Sequence, residues 1–245
     1  RERIYRNSSN KLAPPLINIG IAYKNLGNID RAIEFYKKVE NLCSKDELTN
    51  IQVLAISYAN LSVAFKTIGD YNQALLYQKN AYRILKNDSV KFSRNFQDSK
   101  YNIADIQLKM GLNKEVIVFS KANLKNVRLE LKPRLFDLIA LAYFNLGKFD
   151  LSETNYLNSI NSWIQLKGDN HIELISEYIA YSTFLLSLKK YKDAFLYINK
   201  ASEIIQLKKI EEKSTTNSDV LSSFGDFYYL LNSEAGQIDD FRRKQ

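Results

Sequence analysis

Along most of the chain apolar residues return every third or fourth position, and short polar breaks interrupt them. That spacing lays one apolar stripe along one side of a helix. In NIGIAYKNLGNIDRAIEFYKKV, residues 18–39, the stripe continues on both sides of Gly27. A similar phrase, NLSVAFKTIGDYNQALLYQKNA, begins at Asn60 and puts Gly69 at the equivalent point, 42 residues later. A glycine inside such a pattern predicts a break between two helices, because it takes the left-handed conformation that ends the first. A fixed period predicts a repeat architecture.

Gly27, Gly69, Gly111 and Gly147 each follow one helical pattern and precede another, at spacings of 42, 42 and 36. Seven places before them stand the small residues Gly20, Ser62, Ala104 and Ala140. Four places before stand Tyr23, Phe65 and Tyr143, with Gln107 as the exception; Ala32 and Ala74 stand five places after the first two glycines. Antiparallel helices need a small side chain where their backbones approach and a ring where the gap widens. The spacing therefore predicts helical hairpins. A fifth has Lys189 at the turn, Ser182 at the small site and Ala194 after it. A sixth, partial hairpin is expected in VLSSFGDFYYLLNSEAGQIDDF, after a polar stretch from Glu211 to Asp219. The expected units are 13–50, 51–94, 95–131, 132–170, 171–212 and a partial 213–245; residues 1–12 are expected to be the tail of a preceding repeat or disordered.

These positions resemble the tetratricopeptide repeat. The first unit supplies Leu16, Ile19-Gly20, Tyr23, Gly27, Ala32, Tyr36 and Val39. The second supplies Tyr58, Leu61-Ser62, Phe65, Gly69, Ala74, Tyr77 and Ala81. The fourth supplies Phe136, Ile139-Ala140, Tyr143, Gly147, Ser152 and Tyr156, with Pro133 at its start, while the third is degenerate at Gln107 and Val116. The long period is similar to repeats of kinesin light chains, bacterial signalling proteins and regions associated with CHAT-type caspase-like peptidases. GDNHIEL, residues 168–174, resembles an inter-repeat phrase of those groups. The resemblance implies an all-α, right-handed superhelical solenoid of stacked antiparallel helix pairs, with the first helices lining a concave wall. Carried over position by position, that wall would hold Asn18 and Lys24, Asn60 and Lys66, then Tyr101, Asn102, Asp105 and Lys109, then Arg134 and Asn145.

Asn18, Asn60 and Asn102 lie 42 residues apart. A side-chain amide both donates and accepts hydrogen bonds. Neighbouring helices pack at roughly 8–10 Å and an extended chain advances about 3.3 Å per residue, so three amides would hold a peptide backbone at about every third residue. The alternative is that asparagine is simply common at this site in the family. Lys24, Lys66 and Lys109 would favour an acidic peptide, unless they are ordinary solvated lysines.

Charge and composition change this picture little. The net charge of +8 suits acidic partners in general, but Lys and Arg are scattered in short pairs, with the densest run at Arg242-Arg243-Lys244. Solvated helix faces explain that better than a nucleic-acid patch. Cys43 is the only cysteine and His171 the only histidine. They exclude an internal disulfide and a structural zinc site, and three repeats between them exclude a nucleophile–base pair. The glycines are dispersed at turns and form no phosphate loop. No cofactor, metal or catalytic role is therefore expected within the chain. No apolar run approaches the roughly 20 residues that span a bilayer. Trp163 and the recurring aromatics read as core or rim packing.

The expected function is a protein- or peptide-binding scaffold, cytoplasmic, serving as the recognition or regulatory region of a larger protein. One alternative is the regulatory region of a CHAT-type peptidase or a sensor kinase whose catalytic domain lies outside these residues. Another is nucleic-acid binding through a basic surface.

Overall fold

A computed structural model of the chain describes residues 2–44, 51–87 and 93–211. Among them are ten α-helices: α1 (Glu2–Asn25), α2 (Ile29–Ser44), α3 (Ile51–Thr67), α4 (Tyr71–Asn87), α5 (Ser93–Lys109), α6 (Asn113–Asn123), α7 (Leu131–Asn145), α8 (Phe149–Lys167), α9 (Glu173–Ser187) and α10 (Tyr191–Glu211). A short 3-10 turn, Leu124–Asn126, follows α6. The chain forms two compact units, one ending at Leu131 and the other starting at Lys132. Among the described residues the fold is all-α, built of antiparallel helix pairs as the repeat spacing predicts. The expected partial unit at 213–245 lies outside the described residues.

Five turns have one backbone design. Gly27, Gly69, Gly111 and Gly147 have φ of 78°, 81°, 75° and 70°, in the left-handed region. The next residue's N–H then bonds the carbonyl five places back: Asn28 to Tyr23, Asp70 to Phe65, Leu112 to Gln107 and Lys148 to Tyr143, each at 2.9 Å. This bond closes the orphan carbonyls at the end of the first helix. Asn28 and Asp70 then start the second helix by accepting from the N–H groups of Arg31 (3.2 Å) and Gln73 (3.0 Å). At the fifth turn Lys189 takes the same role at φ 58°, and Lys190 bonds Leu185 at 2.9 Å. A residue with a Cβ pays about 1–2 kcal/mol in this conformation. Lys189→Gly is expected to stabilise the second unit by up to about 1 kcal/mol, less than the full relief because glycine also loses more freedom on folding. Thermal unfolding of the two proteins checks it.

The small sites are where the hairpins close. Ser62, Ala104, Ala140 and Ser182 are buried, and so are Ala32, Ala74, Val116, Ser152 and Ala194 on the opposing helices. The Ser152 hydroxyl donates to the Ala140 carbonyl at 2.9 Å, tying α8 to α7. At Gly20 an added Cβ would lie 2.4 Å from Cε1 and 2.8 Å from Cδ1 of Tyr36, a fully buried ring. Gly20→Ala is therefore expected to destabilise the first unit by about 1–3 kcal/mol despite alanine's better helix propensity. A urea titration followed by circular dichroism reads the change.

In the first unit each helix from α1 to α6 packs on the next. Its main core joins Ala13, Ile17, Tyr36, Leu61, Ala64 and Ile106, among others. The Ser57 hydroxyl donates to the Tyr36 carbonyl at 2.9 Å and links α3 to α2. Pro14 and Pro15 lie inside α1. Without their N–H groups the carbonyls of Asn10 and Lys11 lose helical partners, so α1 is weakest near the expected start of the first repeat. In the second unit α9 packs on both α8 and α10. Its core is aromatic: Tyr156, Tyr178, Tyr181 and Phe184 are all buried, with the Tyr181 and Tyr197 rings edge to face at 4.7 Å.

The second helices share a buried position nine residues after the turn: Tyr36, Gln78, Ser120, Tyr156 and Ile198. This corrects the expected match of Tyr77 to Tyr36. Tyr77 is half-buried and stacks on Phe65 at 5.4 Å, while Gln78 takes the inward place.

Candidate functional site

The first unit contains a cleft of about 520 Å³ with α3 and α5 as walls. From α3 come Gln52, Ala55, Ile56, Ala59 and Asn60, which share one helix face by their spacing. From α5 come Asn95, Asp98, Ser99 and Asn102, again one face. Gln78 and Leu85, two turns apart on α4, are buried between them. Alanines at 55 and 59 leave the space that larger residues would fill. Five lining residues carry side-chain amides: Gln52, Asn60, Gln78, Asn95 and Asn102. Asp98 is the one charged residue among the described residues of the lining, and it is bonded to the Arg128 guanidinium.

The predicted site residues divide. Asn60 and Asn102 are half-buried and line the same cleft. Asn18 is exposed on α1 and does not line it. Lys66 and Asp105 find each other, with Nζ to Oδ2 at 2.8 Å between α3 and α5. That pairing changes the expected lysine row, because the Lys66 charge is answered within the protein. The pair crosses from α3 to α5 beyond Asn60 and Asn102, toward the turn ends of both helices. Lys24 is half-buried near the end of α1, and Lys109 is exposed at the end of α5. Tyr101 is half-buried beside Asn102 in sequence but is not part of the lining. Arg134 and Asn145 are exposed on α7, in the second unit.

Sequence reasoning missed Gln78. Its side chain is 1% exposed, and neither Nε2 nor Oε1 has a hydrogen-bond partner among the described residues. The available signal was the register: counted from the turn glycine, a polar residue stands at a core position in the second repeat.

The second unit holds a different polar group. Glu177 on α9 is buried and accepts from the Ser159 hydroxyl at 2.8 Å and from the Trp163 indole N–H at 3.2 Å. Burial, and then the charge of Asp137 on α7, pushes Glu177 up to about 8. Burial pushes Asp137 up to about 6. Desolvation makes a second negative charge there expensive, so the pair retains a proton at neutral pH. Trp163 is therefore a core residue with a polar contact. His171 lies between α8 and α9, its ring parallel to Trp163 at 6.3 Å, and its Nδ1 accepts the Glu173 N–H at 3.3 Å. Cys43 is buried in the first unit, and burial pushes its thiol up, which lowers its reactivity.

Among the described residues no group of three or more His, Cys, Asp or Glu side chains could hold a metal ion. No described helix is long and apolar enough to cross a membrane.

Residues 11–87 match a family model described as tetratricopeptide repeat. No curated protein matches the chain in sequence. Among solved structures, the apo form of RapI is similar at a TM-score of 0.68 and 13% identity, over 93% of this chain and 85% of that one. Nearly identical TPR-like repeats of a putative kinesin light chain from Podosopora anserina align at a TM-score of 0.66 and 14% identity, over 83% and 98% of the two chains. PilF of Pseudomonas aeruginosa aligns at 0.56 and 17%, over 98% and 99%. At these identities the likeness is one of fold.

Proposed function

We propose that this chain, which matches the tetratricopeptide-repeat model over residues 11–87, works as a tetratricopeptide-repeat protein and binds an extended polypeptide segment in the cleft of its first unit. The observation that carries this reading is the pairing of Asn60 and Asn102 on facing walls, one repeat apart, in a lining rich in amides. Each amide offers a donor and an acceptor, the same pair that every peptide group presents. The walls are helices, so the amides are held in place before the segment arrives, and less ordering is lost on binding. Specificity then comes from side chains that enter the cleft. The lining favours a neutral segment over the acidic one that a lysine row would select, since Lys66 is paired with Asp105 and Asp98 with Arg128, which leaves no unanswered charge among the described residues of the cleft.

The test is selection of a random peptide library displayed on phage against the full chain. Recovered peptides are then titrated against Asn60→Leu and Asn102→Leu proteins of unchanged helicity. Each substitution is expected to weaken binding by about tenfold. Peptides that bind the double variant as well as the parent protein would remove the cleft as the site.

A further inference from the structure

Gln78 asks more of a partner than the two asparagines do. It lines the cleft from α4, is almost fully buried, and leaves both ends of its carboxamide without a partner among the described residues. A donor and an acceptor are thus left unpaired on one planar group that is closed to water, and a guest reaches them once the side chain turns up into the cleft. We infer that Gln78 forms the floor of a subsite for a side-chain carboxamide, an asparagine or glutamine of the bound segment. This rests on the cleft being the peptide site, and it names the side chain that the cleft selects.

The chemistry narrows the guest. A carboxylate only accepts and would set its charge against Gln78 Oε1. An ammonium or guanidinium only donates and would do the same against Nε2. A trans peptide group points its N–H and C=O to opposite sides, so the main chain cannot serve both ends of Gln78 from one edge. A primary carboxamide has N–H and C=O on the same edge and pairs with another in two parallel hydrogen bonds. The main chain then stays with Asn60 and Asn102 on the walls, and one side chain descends between them. The rest of the lining suits a neutral guest: Ala55 and Ala59 keep the passage open, and Asp98 is already paired with Arg128. A nucleobase edge carries the same donor–acceptor pair, but its phosphates would meet no Lys or Arg among the described lining residues.

The experiment uses the full chain and the peptides recovered from the displayed library. The expected result is an Asn or Gln at one fixed position. Changing it to Glu or Leu should weaken binding by about tenfold, and Gln78→Met in the protein should erase that preference. Gln78→Leu serves as a second variant, in which the preference should also fall because leucine offers neither donor nor acceptor. Peptides that depend on Asn60 and Asn102 but tolerate Leu at every position would overturn the carboxamide subsite and leave the cleft reading standing. Peptides indifferent to Asn60 and Asn102 would overturn both. Tight binding of a single-stranded oligonucleotide, lost in Gln78→Met while no peptide binds, would also overturn it. So would a crystal structure of a peptide complex in which only an ordered water meets Gln78.

Discussion

Gln78→Met is expected to stabilise the first unit by about 1–3 kcal/mol, the usual penalty for a buried polar group without a partner. Of the four other occupants of the same repeat position, Ser120 is small and polar and the remaining three are large. Tyr36, Tyr156 and Ile198 present apolar bodies there, and all are buried. Methionine matches glutamine in length and adapts to irregular space. Urea titration of the full chain, followed by helix content, reads the gain. A midpoint that is unchanged or lower would show that the amide is already satisfied in the free protein, and the case for a waiting subsite would fail. With the expected result, the wild-type residue would be one that lowers stability in the free state and recovers it on binding, a trade common at functional positions.

The second unit is expected to lose stability as pH rises from about 4.5 to about 8. An unfolded glutamate ionises near 4.5, whereas folded Glu177 does so near 8. Across that interval the folded unit holds more protons than the unfolded chain, so each rise in pH favours unfolding. The contribution is complete below the lower value and gone above the upper one. Asp137 acts in the same direction up to about 6. Glu153 opposes it: hydrogen bonds from Lys190 and Tyr181 hold its carboxyl low, so its share is lost only on acidification. The net change should be on the order of a few kcal/mol. Glu177→Gln should remove most of the dependence and be more stable than the parent at alkaline pH. Trp163 supplies a local readout, since it is the chain's single tryptophan and its indole N–H reaches Glu177 Oε1. Its emission should titrate in the parent protein and stay flat in the variant. A parent protein with flat emission and constant stability over the same range would refute the buried proton.

Much of the fold was legible because turns and close approaches admit few residue types. Gly27, Gly69, Gly111 and Gly147 need positive φ, and Gly20 faces a ring that tolerates no Cβ. These constraints mark the hairpins even in the degenerate third repeat. The cleft was half legible: Asn60 and Asn102 are where the period puts them, but Asn18 belongs to a helix outside the lining. Gln78 was hidden because an adjacent aromatic, Tyr77, drew the alignment one place off. The Lys66–Asp105 pair spans 39 residues and two helices. It depends on how those helices rotate about their axes, which side-chain spacing alone leaves open. The Asp137 and Glu177 carboxyls look like ordinary acidic residues in the sequence; only packing by Tyr156 and Trp163 and their neighbours makes them unusual.

The shared bend has a consequence for how such a chain changes length. Each of the five bends within a hairpin leaves by the same backbone path, closed by the same 2.9 Å bond. A splice made from one bend to the next joins like to like, so a two-rod cassette can be dropped or doubled without inventing a junction. Growth and shrinkage then proceed in cassette-sized steps, and a cassette that includes α3, α4 or α5 carries its share of the lining with it.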